Sequence, residues 1–197
     1  MKTLLSEIKT SVLLTAVFAV LLCGVYPLVV WVGAQQFFAA KANGSLVLDQ
    51  GGTVRGSALL AQNFTSAKYF QPRPSAAGTG YDASNSSGTN LGPTSKKLAD
   101  SIQAAVGAYR AANGLAADAL VPADAVTSSG SGLDPHISPA NARLQAGRVA
   151  KARGLALDRV LALVATHTEG RDLALFGEPR VNVLLLNRAL DQPPGAP

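Results

Sequence analysis

Residues 128–145, SSGSGLDPHISPANARLQ, hold the densest run of potential chemistry in the chain. Small residues at 128–132 ahead of a helix start suit a phosphate cradle, which works by aiming backbone N–H groups at an anion. The Lys-Ser/Thr pair of a P-loop is absent, and Pro135 and Pro139 remove two donors from the following turn. Ser131, Asp134 and His136 are the residue types of a nucleophilic triad. The Gly-x-Ser-x-Gly spacing is missing, however, and closeness in sequence does not build triad geometry. Asp134, His136 and His167 have no His-x-x-x-His type spacing for a metal. The residues favour a glycine-rich turn that launches a helix, with nucleotide binding as its rival.

The elements around this stretch can be read from caps and periodicity. Ser138-Pro139 is a helix start, a capping hydroxyl followed by Pro in the first helical position. That helix stops at Arg153-Gly154. Asp158 is expected to cap the next helix, which runs to about His167 with Val160, Leu161, Val164 and Ala165 inward. Asn182 is expected to cap a last helix, VLLLNRAL. Upstream, Thr94 or Ser95 caps a helix with Leu98, Ile102, Ala105, Val106 and Tyr109 on one face, ended by Asn113-Gly114. Residues 45–62 read as a hairpin around Gly51-Gly52. Residues 71–95 form a long Gly/Pro/Ser/Asn-rich loop, and such loops are usually functional or disordered. Residues 121–127 read as an extended approach. Helices dominate with a small sheet, an α+β class.

Apolar residues make up 48% of the chain and charged residues 15%, and mean hydropathy is +0.21. The concentration lies near the start: no charge falls between Lys9 and Lys41, and residues 12–32 are nearly all apolar, enough to cross a bilayer as a helix. A cleaved leader would have a shorter apolar core and a nearby small-x-small site. A lipoprotein leader ending at Cys23 would not have Leu22 before it or an apolar run after it. The expected organisation is an N-terminus at 1–10, a transmembrane helix at 11–33 kinked by Pro27, a linker at 34–41 and a soluble domain at 42–197. Lys2 and Lys9 before the span outweigh Lys41 after it, so the positive-inside bias puts the N-terminus in the cytoplasm and the domain outside. The net charge of +5 is scattered rather than clustered with aromatics, which speaks against nucleic acid and suits anionic lipid or an acidic partner. From the residues alone the chain is a single-span membrane protein with no catalytic centre, either a subunit of a larger assembly or a stand-alone, membrane-tethered envelope binding module.

Four ordered segments carry a resemblance: YFQPRPS at 69–75, SGTNLGP at 87–93, the stretch from 128 extended to Arg148-Val149-Ala150, and GEPRVNVLLLN at 177–187. Together with the N-terminal span they resemble the KdpC subunit family of the bacterial ATP-driven potassium transporter KdpFABC, over essentially the whole chain. The resemblance implies a non-catalytic subunit in the bacterial inner membrane. Its implied partners are a channel-like potassium-binding subunit, a P-type ATPase subunit and a small single-helix subunit. It implies assistance to assembly and a catalytic-chaperone role that raises the ATPase subunit's affinity for ATP, with no covalently bound cofactor. Ser128, Ser129, Ser131 and Gln145 are the implied nucleotide contacts. Arg73, Asn90, Asp134, His136, Arg148, Arg180 and Asn182 lie in the shared motifs as assembly or structural residues. Topology and the nucleotide proposal conflict, because ATP is cytoplasmic and the charge bias puts the domain outside.

Overall fold

The computed structural model describes residues 2–49 and 51–192, in two compact units that divide between Leu46 and Val47. In the first unit helix α1 (Lys2–Val20) passes through a π-helical turn, Leu21–Val25, into α2 (Tyr26–Ala42). The Tyr26 N–H reaches back to Leu21 O across this turn, one residue before Pro27, which has no N–H to give. The run Thr3–Ala42 is long and apolar enough to cross a membrane, and none of its most apolar window is buried within the chain. Gln35 and Asn43 exchange side-chain hydrogen bonds of 3.2 Å, and Asn43 Nδ2 donates to Ala39 O, closing the last turn.

In the second unit β1 (Leu46–Leu48) pairs with β2 (Val54–Ser57). Asp49 Oδ1 accepts from Gly51 N and Thr53 N at 2.9 Å, and Gly52 at φ 78° supplies the left-handed residue of the hairpin. Residues 58–95 then run without helix or strand. Helix α3 (Lys96–Asn113) begins at Ser95, whose hydroxyl accepts from Leu98 N, and ends at Gly114 in a left-handed cap. Leu98, Ile102, Ala105, Val106 and Tyr109 are its half-buried face. A 3₁₀ turn at Ala123–Ala125 stands where sequence suggested an extended approach.

The body is a three-stranded antiparallel sheet, order β3-β5-β4, with helices packed against it. Strand β3 (His136–Ile137) pairs with β5 (Arg180–Asn182), and β4 (Thr168–Glu169) pairs with the other edge of β5. Between them in sequence lie α4 (Pro139–Arg153) and α5 (Leu157–Thr166), and α6 (Val183–Asp191) follows β5. Ser138 Oγ accepts from Asn141 N and Asn182 Oδ1 from Leu185 N, so both expected caps are present. Asp158 does not cap α5: Ala156 holds that position and Asp158 sits in the first turn, where its charge suits the helix dipole. Val160 and Val164 are buried and Leu161 half-buried, but Ala165 is exposed and Leu163 takes its inward place. Ile137, Ala142, Ala146, Val149, Val181, Val183 and Leu186 complete the core. Phe70 joins it, fully buried although it is carried on the extended 58–95 segment.

Candidate functional site

The serine-glycine stretch binds protein through its carbonyls. Ser131 O accepts from Ser87 N and Ser86 Oγ, both at 3.0 Å. Gly132 O accepts from Ser75 Oγ at 2.6 Å, and Leu133 O accepts from Ala61 N at 2.9 Å. Arg73 donates from Nε to Thr127 O and from Nη2 to Ser128 O. Ser131 Oγ turns back to accept from Leu133 N. Gly132 has φ 68°, and a Cβ there would meet Ser87 O at 2.5 Å and Ala77 N at 2.7 Å. The turn is therefore the surface on which the 71–88 loop is laid down, and glycine is needed at 132 because two backbones meet there.

Asp134 ties this turn to β3. Its Oδ1 accepts from His136 N at 3.0 Å, and its Oδ2 lies 3.1 Å from Arg73 Nη1. Burial pushes the Asp134 carboxyl up, but the His136 and Arg73 contacts together outweigh it and hold the group below the usual carboxylate range. His136 Nδ1 is 3.4 Å from Asp134 Oδ1. Ser131 Oγ faces Leu133 N and Ser129 Oγ, so among the described residues Ser131, His136 and Asp134 form no relay. No cluster of three His, Cys, Asp or Glu side chains occurs among the described residues.

Gln145 is 1% exposed and all of its hydrogen-bonding capacity is used inside the protein. Oε1 accepts from Gln71 N at 2.7 Å and Arg148 Nη2 at 2.8 Å; Nε2 donates to Gln71 O at 3.0 Å and Asn141 Oδ1 at 2.9 Å. Arg148 also donates to Asn113 Oδ1, Ala67 O and Tyr69 O. Burial pushes its guanidinium downward from its ordinary value. Asn141 Oδ1 also accepts from the Tyr109 hydroxyl at 2.7 Å, and Asn141 Nδ2 donates to Asp124. Burial, then the Asp124 charge, raises the Tyr109 hydroxyl. Asp124 accepts in addition from Ser138 N and Ser138 Oγ at the start of α4. One polar ladder thus runs Arg148–Gln145–Asn141–Asp124 on the inner side of α4. A cleft of about 470 Å³ opens beside Gln145 and Tyr109, lined by Pro72, Pro74, Tyr81 and other residues but by no Lys or Arg.

The structure joins the motif residues in two groups bridged by residues 69–75. Arg73 and Ser75 hold Ser128, Gly132 and Asp134; Tyr69 and Gln71 are held by Arg148 and Gln145. Asn182 caps α6 and donates to Ala58 O at 2.8 Å. Arg180 belongs to a separate cluster with Asp172 and Glu169. Asn90 adopts a left-handed φ of 51°, which Asn tolerates, and takes no part in either group. Sequence reasoning missed Asp124 and Asn141, and placed Tyr109 on the inward face of its helix without its bond to Asn141. Asn141 and Gln145 share a face at i,i+4, and Arg148 follows, but a polar stripe of that kind is ordinarily read as solvated.

The sequence has relatives. A family model described as K+-transporting ATPase, c chain, matches residues 8–192. The chain belongs to the KdpC family. The Potassium-transporting ATPase KdpC subunit of Mycobacterium tuberculosis is 53% identical over 186 residues, 94% of this chain and 98% of the relative. That of Rhodospirillum rubrum is 54% identical over 189 residues, covering 96% and 97%. That of Myxococcus xanthus is 56% identical over 183 residues, covering 92% and 86%. KdpC membership makes the chain a subunit of a potassium-transporting ATPase complex.

Proposed function

We propose that this chain is a non-catalytic subunit of an ATP-driven, high-affinity potassium uptake complex of the bacterial inner membrane. It spans the membrane once, with its N-terminus in the cytoplasm and its domain outside. There the domain packs against the channel-like subunit and assists assembly with the ATPase subunit and the small single-helix subunit. Its catalytic-chaperone effect on ATP affinity acts through linkage between subunits rather than through direct contact with nucleotide. One observation carries this reading: Gln145 has no donor or acceptor left for a ligand. The carbonyl-led bonding of residues 128–133 and the cleft without cations at Gln145 support it, because a triphosphate calls for N–H groups or cationic side chains.

Two measurements test it. The full chain in detergent, titrated with ATP in a calorimeter, gives no saturable heat at sub-millimolar concentrations; saturable heat would overturn the indirect mechanism. Ser131→Cys, placed in a Cys23→Ala background, is labelled by a membrane-impermeant thiol reagent in intact cells. Labelling only after the membrane is breached would place the domain inside and restore nucleotide contact.

A further inference from the structure

Helix α3 is held differently from the other α-helices of its unit. It has no buried residue, whereas α4, α5 and α6 each bury side chains in the core. Its half-buried face, with Ala105 and Tyr109, forms one wall of the cleft of about 470 Å³, and Pro72, Pro74, Asn141 and Gln145 contribute to the rest. Side-chain bonds tie it to α4 at two places. The Tyr109 hydroxyl donates to Asn141 Oδ1 at 2.7 Å, and Arg148 Nε donates to Asn113 Oδ1 at 2.9 Å. Arg110 donates twice to Ala119 O, at 2.9 and 2.7 Å, so residues 115–119 go with the helix. Upstream, the chain is laid on the body as far as Ser87 and Gly88, against Ser131 and Gly130. The next backbone bond, from Ser95 N to Gly92 O, is local. Downstream, Leu120 is 91% exposed, and the chain rejoins the body at Asp124, which holds Ser138.

We propose that residues 95–119, carrying α3, are a hinged wall of this cleft, latched shut by Tyr109 and Asn113 and able to swing out while the sheet and α4, α5 and α6 stay folded. Opening strands nothing on the α4 side of the latch. Asn141 Oδ1 keeps the Gln145 Nε2 donor at 2.9 Å. Arg148 keeps Gln145 Oε1, Ala67 O and Tyr69 O. On the α3 side the released hydroxyl and amide oxygen pass to water. Both ends of the helix carry their caps with them: Ser95 accepts from Leu98 N, and Gly114 N donates to Ala111 O. Each latch bond is therefore exchanged for water, which makes it worth little net, whereas a stranded buried partner would make opening costly. A segment attached by few buried apolar contacts opens below the free energy of global unfolding. The joints are the irregular segments 89–94 and 120–122, and hinges of this kind are a few loop or element-terminal residues that absorb the φ/ψ change. Swinging α3 out widens the cleft and gives solvent access to the Asn141–Gln145 part of the polar ladder.

Deuterium uptake of the full chain in detergent, followed by mass spectrometry, tests the hinge. Amides of 96–113 are expected to exchange about a hundredfold faster than those of 139–153. Equal protection of the two helices overturns the proposal. Tyr109→Phe keeps the ring and removes only the latch hydroxyl, so it speeds exchange in α3 about tenfold and leaves α4 unchanged. No change in α3 overturns the latch, and an equal rise in α4 overturns the hinge, because α3 would then open only with the whole domain. A second readout is Ala105→Cys in a Cys23→Ala background, which sets a thiol on the cleft side of α3. Its labelling by a bulky maleimide rises about tenfold when Tyr109→Phe is added. A labelling rate that Tyr109→Phe does not move overturns the proposal.

Discussion

Gln145 and Asn187 grip consecutive backbone units of one extended segment. Asn187 accepts from Phe70 N at 2.8 Å and donates to Phe70 O at 2.9 Å, while Gln145 does the same for Gln71 at 2.7 and 3.0 Å. Two side-chain amides from α6 and α4 stand in for a neighbouring strand, so the 69–75 motif is held as if in a sheet although no strand lies beside it. This arrangement satisfies backbone groups that accompany Phe70 into the core and would otherwise be stranded there.

Gln145→Ala strands the Gln71 amide and carbonyl and removes an acceptor from Arg148. Its expected cost is about 3 kcal/mol of unfolding free energy, two or more lost buried partners at roughly 1–3 kcal/mol each. Asn187→Ala is expected to cost a similar amount. Because both clamps hold the same segment, losing one frees part of what the other held, and the double variant should cost less than the sum. Urea unfolding of the full chain in detergent measures all three; strict additivity would show that the clamps act independently.

Glycines in the turn separate cleanly. Gly132→Ala forces a Cβ onto Ser87 O and Ala77 N at a left-handed φ, so it is expected to lower stability by about 2 kcal/mol or more. It should also expose the 75–88 loop to protease. Gly130→Ala has nothing within 4 Å of its new Cβ and no positive φ, and should behave as wild type. Equal protease sensitivity of the two variants would mean that the loop is not laid down on this turn.

The helix boundaries were legible because caps are local chemistry: Ser95, Ser138 and Asn182 each accept from an N–H three residues on, and Gly114 and Gly154 take left-handed φ values at the ends. The long apolar N-terminal helix was legible from the absence of charge between Lys9 and Lys41. Strands of two or three residues, such as β3 and β4, are too short to show alternation, and their pairing is decided by contacts distant in sequence. The polar ladder was illegible for a different reason. Asn141 and Gln145 occupy the inner face of α4 beside Ala142 and Ala146, and their partners are distant in sequence: Gln71 lies 74 positions from Gln145, and Tyr109 and Asp124 lie 32 and 17 from Asn141. Of the segments singled out in the sequence, 69–75 and 128–145 meet in the structure, but the partner that each one holds was not legible.

Asp124 is the unanticipated anchor of α4. It accepts from Ser138 N at 2.7 Å, Ser138 Oγ at 2.9 Å and Asn141 Nδ2 at 3.0 Å, beside the positive end of the helix dipole. Asp124→Ala should therefore destabilise by about 2–3 kcal/mol, more than Ser138→Ala at about 1 kcal/mol, because a lost cap removes one acceptor and a lost Asp124 strands three donors. Asp124→Asn keeps one acceptor oxygen but sets an NH2 against donors, and should fall between them. Thermal unfolding of the three variants ranks them; Ser138→Ala as the worst would demote Asp124 to a bystander.

Acid should find Asp134. Its carboxyl titrates below the ordinary value in the folded chain, so the unfolded chain binds the proton first as pH drops. The stabilisation is fully present above the unfolded value, near about 3.9, and is lost as pH falls through the folded one. What disappears on protonation is the charge at the Asp134 end of its pair with Arg73, while the Arg73 bonds to Thr127 O and Ser128 O and the Ser75 bond to Gly132 O remain. Asp134→Asn has no proton to take up. It should be less stable than wild type at neutral pH, and the gap should shrink as urea midpoints are followed from about pH 7 down to about pH 3. A gap that holds constant over that range would mean that Asp134 contributes through packing and not through its charge.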